Sequence, residues 1–141
     1  MTVAVAHHAS GASASVLDAA VDEAARRGVE LVVVTVVTGK DLDSESALRD
    51  GIGDLVEQAA AARGVQELTW RVVVATSGDE SIDQTAAAIL AAAEAAHAGL
   101  LVIGARRRSR VGKAFLGSVT QELLLDATVP VLVVKDPAGA V

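Results

Sequence analysis

Leu31-Val32-Val33-Val34-Thr35-Val36-Val37 is the stretch on which the fold turns. It is short, β-branched and continuous, without the apolar/polar alternation of a strand that has one face in water. Such a run reads as a strand buried on both faces, and strands of that kind belong in parallel sheets covered by helices. Upstream, Ser13 to Arg27 places Val16, Leu17, Ala20, Val21, Ala24 and Ala25 on one helical stripe, and Gly28 closes it. Before that lies the apolar run Val3-Ala4-Val5-Ala6, a first strand.

Downstream the same alternation of elements continues. Gly39 to Gly53 is polar and glycine-bearing, a loop or a weakened helix start. Asp54 to Arg63 is helical and ends at Gly64. Thr69 to Ala75 is a third strand. Ser81 to His97 is an alanine-rich helix opened by the capping-box pattern Ser81-Ile82-Asp83-Gln84. Leu100 to Ile103 is a fourth strand, Ser118 to Asp126 a last helix, and Val129 to Val134 a fifth strand. The order β-α-β-α-β-α-β-α-β predicts an α/β fold with one domain over residues 1–141. The sheet is open, five-stranded and parallel, with helices on both faces in a Rossmann-like arrangement.

Composition limits what such a domain does. The chain has 141 residues, 52% of them apolar, and no cysteine, which excludes disorder, disulfides, a thiolate zinc site and a cysteine nucleophile. Trp70 and Phe115 are its two aromatics, too few for a base-stacking platform. A net charge of −6 opposes nonspecific nucleic-acid binding, which runs on phosphate neutralisation. The longest apolar run, Ala86 to Ala93, is far short of a membrane span, and the first residues lack the basic segment of a signal peptide. The expectation is a cytoplasmic protein that binds neither nucleic acid nor membrane.

In open α/β sheets ligands sit at the carboxyl ends of the strands. After the fourth strand comes Gly104-Ala105-Arg106-Arg107-Arg108-Ser109-Arg110-Val111-Gly112-Lys113-Ala114-Phe115-Leu116-Gly117-Ser118. Five of the chain's 12 basic residues fall between Arg106 and Lys113, and the segment leads into a helix N-terminus. Unpaired N–H groups and the positive pole of the helix dipole suit a phosphate there, with Arg107 and Lys113 supplying charge. A second reading of the same residues makes Ser118 the cap of the helix, in the box Ser118-Val119-Thr120-Gln121, and the arginines a solvated loop. The two are compatible. The segment is not a Walker loop, since Arg107 and Ala114 stand where that motif needs glycine and Ser or Thr.

Leu101 to Gly104, the Arg-rich loop, Gly117-Ser118 and Pro130 to Val134, with Ser10 to Ser13 near the start and Gly78 before the third helix, resemble the universal stress protein (UspA-like) family over essentially the whole chain. The resemblance implies an adenine nucleotide alpha hydrolase-like fold and the binding of ATP or another adenine nucleotide, with or without Mg²⁺, in a stress-response role. It assigns nucleotide contacts to Ala6, His7 and His8 after the first strand, to Val36 after the second, and to Gly104, Gly117, Ser118 and Val119. It also implies a homodimer paired through the C-terminal strand Pro130 to Val134, an apolar strand at the sheet edge. Two positions depart from the family pattern. In G-x2-G-x9-G-(S/T), Arg107 replaces the middle glycine, where it either blocks the backbone approach or binds phosphate itself. His8-Ala9-Ser10 stands where the family has Asp-Gly-Ser, which removes a carboxylate. The rival reading is a nucleotide-free dimeric interaction module, and slow ATP hydrolysis is the most catalysis expected.

Other residues carry less. Adjacent His7 and His8 point to opposite faces of a strand and do not share an ion easily. His97 ends a helix and has no assigned role. Asp41, Asp43 and Glu45 form an acidic stretch read as solvated loop. Trp70 reads as core or interface.

Overall fold

The run Leu31 to Val37 lies within a nine-residue inner strand of the sheet. The computed structural model describes residues 1–7, 14–38, 44–78, 81–108, 113–115 and 117–135, with backbone alone for 106–108 and 113–115. Its elements are β1 (Thr2–Ala6), α1 (Ala14–Arg27), β2 (Glu30–Thr38), α2 (Glu45–Ala62), β3 (Trp70–Ser77), α3 (Ile82–Ala95), β4 (Ala98–Arg108), β5 (Lys113–Phe115), α4 (Ser118–Asp126) and β6 (Val131–Lys135). Five strands run parallel, as the sequence predicts, and their order is β3-β2-β1-β4-β6.

Each strand divides its side chains between two cores. Val3, Val5, Leu31, Val33, Leu100 and Val102 pack with α1 and α2. Ala4, Val32, Val34, Leu101 and Ile103 pack with α3 and α4. Neither face of β2 meets water, which is why its sequence shows no alternation. Full burial of each such side chain contributes about 1.5–3 kcal/mol.

The helix ends follow local chemistry. Gly28 and Gly64 take φ of 64° and 70°. At each, the glycine N–H and the next N–H fold back onto the helix: Gly28 to Ala25 and Val29 to Ala24, then Gly64 to Ala61 and Val65 to Ala60. Arg63, at the end of α2, pairs with Asp22 of α1, and that hydrogen bond holds its guanidinium above the ordinary value. At α3 the Ser81 hydroxyl accepts from the Gln84 N–H at 3.3 Å, as its capping pattern requires.

Three elements differ from expectation. α2 starts at Glu45 and runs through Gly51 and Gly53. Tertiary packing of Ile52 and Val56 outweighs the glycines' poor helix propensity. Gly53 is also needed there, since a Cβ on it would stand 2.9 Å from the Trp70 ring. β4 continues beyond Ile103 to Arg108, where β5 pairs with it antiparallel, Arg107 opposite Ala114 and Arg108 opposite Lys113. The sequence reading stopped at the last apolar residue, and this hairpin carries no apolar pattern. Finally, Gly117, not Ser118, is the N-cap of α4: its carbonyl accepts from Gln121 N–H at 3.0 Å, and no side chain caps the helix. The capping box expected at Ser118 is absent because Ser118 is already the first helical residue. No helix among the described residues is long and apolar enough to cross a membrane.

Candidate functional site

The chain lays down β1, β2 and β3 in one direction and then crosses to β4 and β6 on the other side of β1. The carboxyl ends of the strands near this reversal are where an open sheet leaves a crevice. β2 outruns its neighbour: Ala6, the last residue of β1, pairs with Val34, while β2 continues to Thr38. The His7 N–H donates to the Val34 carbonyl at 2.8 Å and holds the chain beside β2 for one more step.

A pocket of about 570 Å³ opens at this step. Ala6 and His7 form its floor with Val34 to Val37. Ser44, Ala47 and Leu48 from the start of α2 close one side; Thr85 and Ile89 of α3 and Val119 and Leu123 of α4 close the other. The volume lies within the range of small-ligand sites. The wall is mainly apolar, with His7, Thr35, Ser44 and Thr85 as its polar members, and no carboxylate lies among the described lining residues. Among the described residues no three His, Cys, Asp or Glu side chains are grouped to hold a metal ion.

Four of the sequence-predicted residues, Ala6, His7, Val36 and Val119, line this pocket. His8 lies outside the described residues, as do Asp41 and Asp43. Glu45 belongs to α2 and binds Arg49 at 2.9 Å, so it is an ion-pair partner within a helix and not part of a loop. Gly117 caps α4 with nothing within 4 Å of where a Cβ would be, and Ser118 is exposed. Arg107 and Lys113 stand on the two strands of the β4–β5 hairpin. Gly104 has a reason the sequence did not disclose: a Cβ there would stand 2.7 Å from a methyl of Val16. Close packing of α1 on β4 therefore accounts for this glycine. Its carbonyl accepts from the Thr120 hydroxyl at 3.2 Å, which ties the first turn of α4 to the end of β4.

Sequence reasoning missed Val34, Thr35, Val37, Ser44, Ala47, Leu48, Thr85, Ile89 and Leu123. Thr35 gave a signal, as the single polar residue of the β2 run. The helical residues gave none, because they converge only through tertiary packing. Also on α4, the Glu122 carboxyl is raised from its ordinary value by partial burial, and Asp83 and Asp126 add repulsion in the same direction.

The universal stress protein family model matches residues 1–135. A universal stress protein of Mycolicibacterium smegmatis is 32% identical over 133 residues, covering 94% of this chain and 96% of the relative. The structure of a universal stress protein from Archaeoglobus fulgidus superposes with a TM-score of 0.71 at 26% identity, covering 94% of this chain and 97% of that one. A universal stress protein solved in complex with cAMP gives a TM-score of 0.66 at 25% identity, covering 96% of this chain and 97% of that one.

Proposed function

Since this chain belongs to the universal stress protein family, we propose that it binds an adenine nucleotide at the carboxyl ends of β1 and β2, in a cytoplasmic stress-response role. One observation carries this reading: the pocket of about 570 Å³ is lined by Ala6, His7, Val36 and Val119, four of the positions to which the family resemblance assigns nucleotide contacts. The cAMP complex of a related protein supports the ligand class. The apolar walls take the purine. Val119, the second residue of α4, lines the pocket, so the unpaired N–H groups of that helix's first turn lie beside it. The phosphates lie toward Gly117 and Ser118, with Arg107 and Lys113 supplying charge-assisted contacts of about 1.5–3 kcal/mol each. A Mg²⁺ ion accompanying ATP would meet no carboxylate among the described lining residues.

Copies of the chain pair through β6. β6 is bonded to β4 on one side and forms an edge of the parallel sheet. Leu101 N–H donates to the Pro130 carbonyl at 3.0 Å. In a parallel ladder the backbone groups of alternate residues face one neighbour, so Pro130, Leu132 and Val134 face β4 while Val131, Val133 and Lys135 face outward. An outward apolar edge is open to strand addition, and a two-fold axis closes it.

A second reading, a dimeric interaction module without nucleotide, is favoured by Arg107 at the loop's middle glycine position. Calorimetry with ATP, ADP, AMP and cyclic AMP separates the two. Saturable heat with at least one of them is expected, weakened by Arg107→Gly. No saturation at millimolar ligand overturns nucleotide binding, and tighter binding by Arg107→Gly makes the arginine an obstruction.

A further inference from the structure

The sheet's other edge is β3, which among the described residues pairs with β2 alone. Leu31 N–H donates to the Thr69 carbonyl at 2.9 Å. The same alternation therefore turns Arg71, Val73 and Ala75 toward β2, and Trp70, Val72, Val74 and Thr76 outward. Those outward positions contain no proline, which would take an N–H from the free edge.

One outward group is nevertheless occupied. The Arg49 guanidinium reaches across from α2 and donates from Nη1 to the Val72 carbonyl at 2.7 Å. Its Nε and Nη2 both donate to Glu45 Oε1, at 3.1 and 2.9 Å, which fixes the side chain one helical turn from its partner. An added strand, parallel or antiparallel, needs the Val72 carbonyl as an acceptor in the middle of its ladder. It must displace a charged donor to obtain it.

We propose that Arg49 is a guard of the β3 edge: held by Glu45, it occupies the Val72 carbonyl and keeps a second copy of the chain from adding its own β3 there. The occupant excluded is another copy because its β3 offers the same outward backbone groups at Trp70, Val72 and Val74 and meets itself antiparallel about a two-fold axis. The inference does not rest on nucleotide binding. With β6 pairing copies at the opposite edge, loss of the guard gives an open-ended chain of molecules; without that pairing it gives a simple dimer.

The test is sedimentation velocity of the wild type, Arg49→Ala and Arg49→Ala/Val74→Pro at matched concentrations, with circular dichroism to confirm folding. Alanine is the best helix former, so the first change does not weaken α2 through propensity. Proline at Val74 removes an outward N–H and no bond to β2. The expected result is at least a doubling of mass for Arg49→Ala, rising with concentration, and return to the wild-type mass in the double variant. A folded Arg49→Ala at the wild-type mass overturns the proposal, as does a mass gain that Val74→Pro leaves in place. Arg49→Gln serves the same comparison if the alanine variant does not fold: raised mass supports the guard, unchanged mass overturns it.

Discussion

A methyl of Val16 fills the space beside Gly104 that any other residue's Cβ would claim, at 2.7 Å. Val16 is buried and β-branched, so it has no flexible end to swing aside. Gly104→Ala is therefore expected to lower the unfolding free energy by about 1–3 kcal/mol through overpacking. Val16→Ala/Gly104→Ala should recover part of that loss, with a coupling of about 0.5–3 kcal/mol in a double-mutant cycle by urea denaturation. Additive effects would mean that the two residues do not compete for one space.

Pairing through β6 predicts a specific disruption. Val133 faces its backbone outward, so Val133→Pro removes a donor from the outer edge and none from the β4–β6 ladder. Light scattering is expected to show the mass falling from dimer to monomer with helix content unchanged. A wild type that already runs as a monomer removes the basis for this pairing.

Glu122 makes stability depend on pH in a stated direction. Its folded-state value is raised, by burial first and then by Asp83 and Asp126. A raised carboxyl contributes stability that is present below its unfolded value and is lost as pH rises through the folded one. Glu122→Gln should thus have a higher urea midpoint than the wild type at neutral pH, with the gap closing as pH falls through the upper carboxylate range. A gap of constant size across that range contradicts the assignment.

His97 follows Ala96, the C-cap of α3, at a φ of 56°, the left-handed region, where it takes the place that Gly28 and Gly64 take after α1 and α2. Its N–H donates to Glu94 and its carbonyl accepts from Thr2 N–H, so the turn is fixed at both ends. His97→Gly should raise the unfolding free energy by about 1 kcal/mol by removing the Cβ strain. An unchanged thermal midpoint would show that the turn holds no such strain.

What the sequence disclosed was what is local or periodic. The β2 run announced a strand with two buried faces, Gly28 and Gly64 announced helix ends, and Ser81 announced a cap, because each depends on neighbours within one turn or one strand. Ala6, His7, Val36 and Val119 were legible through the family resemblance. The pairing of Gly104 with Val16 was not, nor that of Gly53 with Trp70, because each joins elements far apart in the chain. α2 could not be read from Glu45 because Gly51 and Gly53 mask a helix that exists through packing. Thr85, Ile89 and Leu123 carry no local signal of a site, and only the convergence of α3 and α4 over the end of β2 makes them a wall.

The contact of Trp70 with Gly53 sets what can be seen of this protein in solution. Trp70 is the single tryptophan, and there is no tyrosine. Its emission therefore reports on one place, the seam between α2 and β3. Circular dichroism averages over all four helices. If the two signals unfold along one curve, the α2–β3 seam melts with the rest of the domain as a two-state unit. If emission shifts first, that edge of the sheet opens as a separate, weaker unit. The chain thus carries a built-in optical probe at the strand edge, away from the pocket.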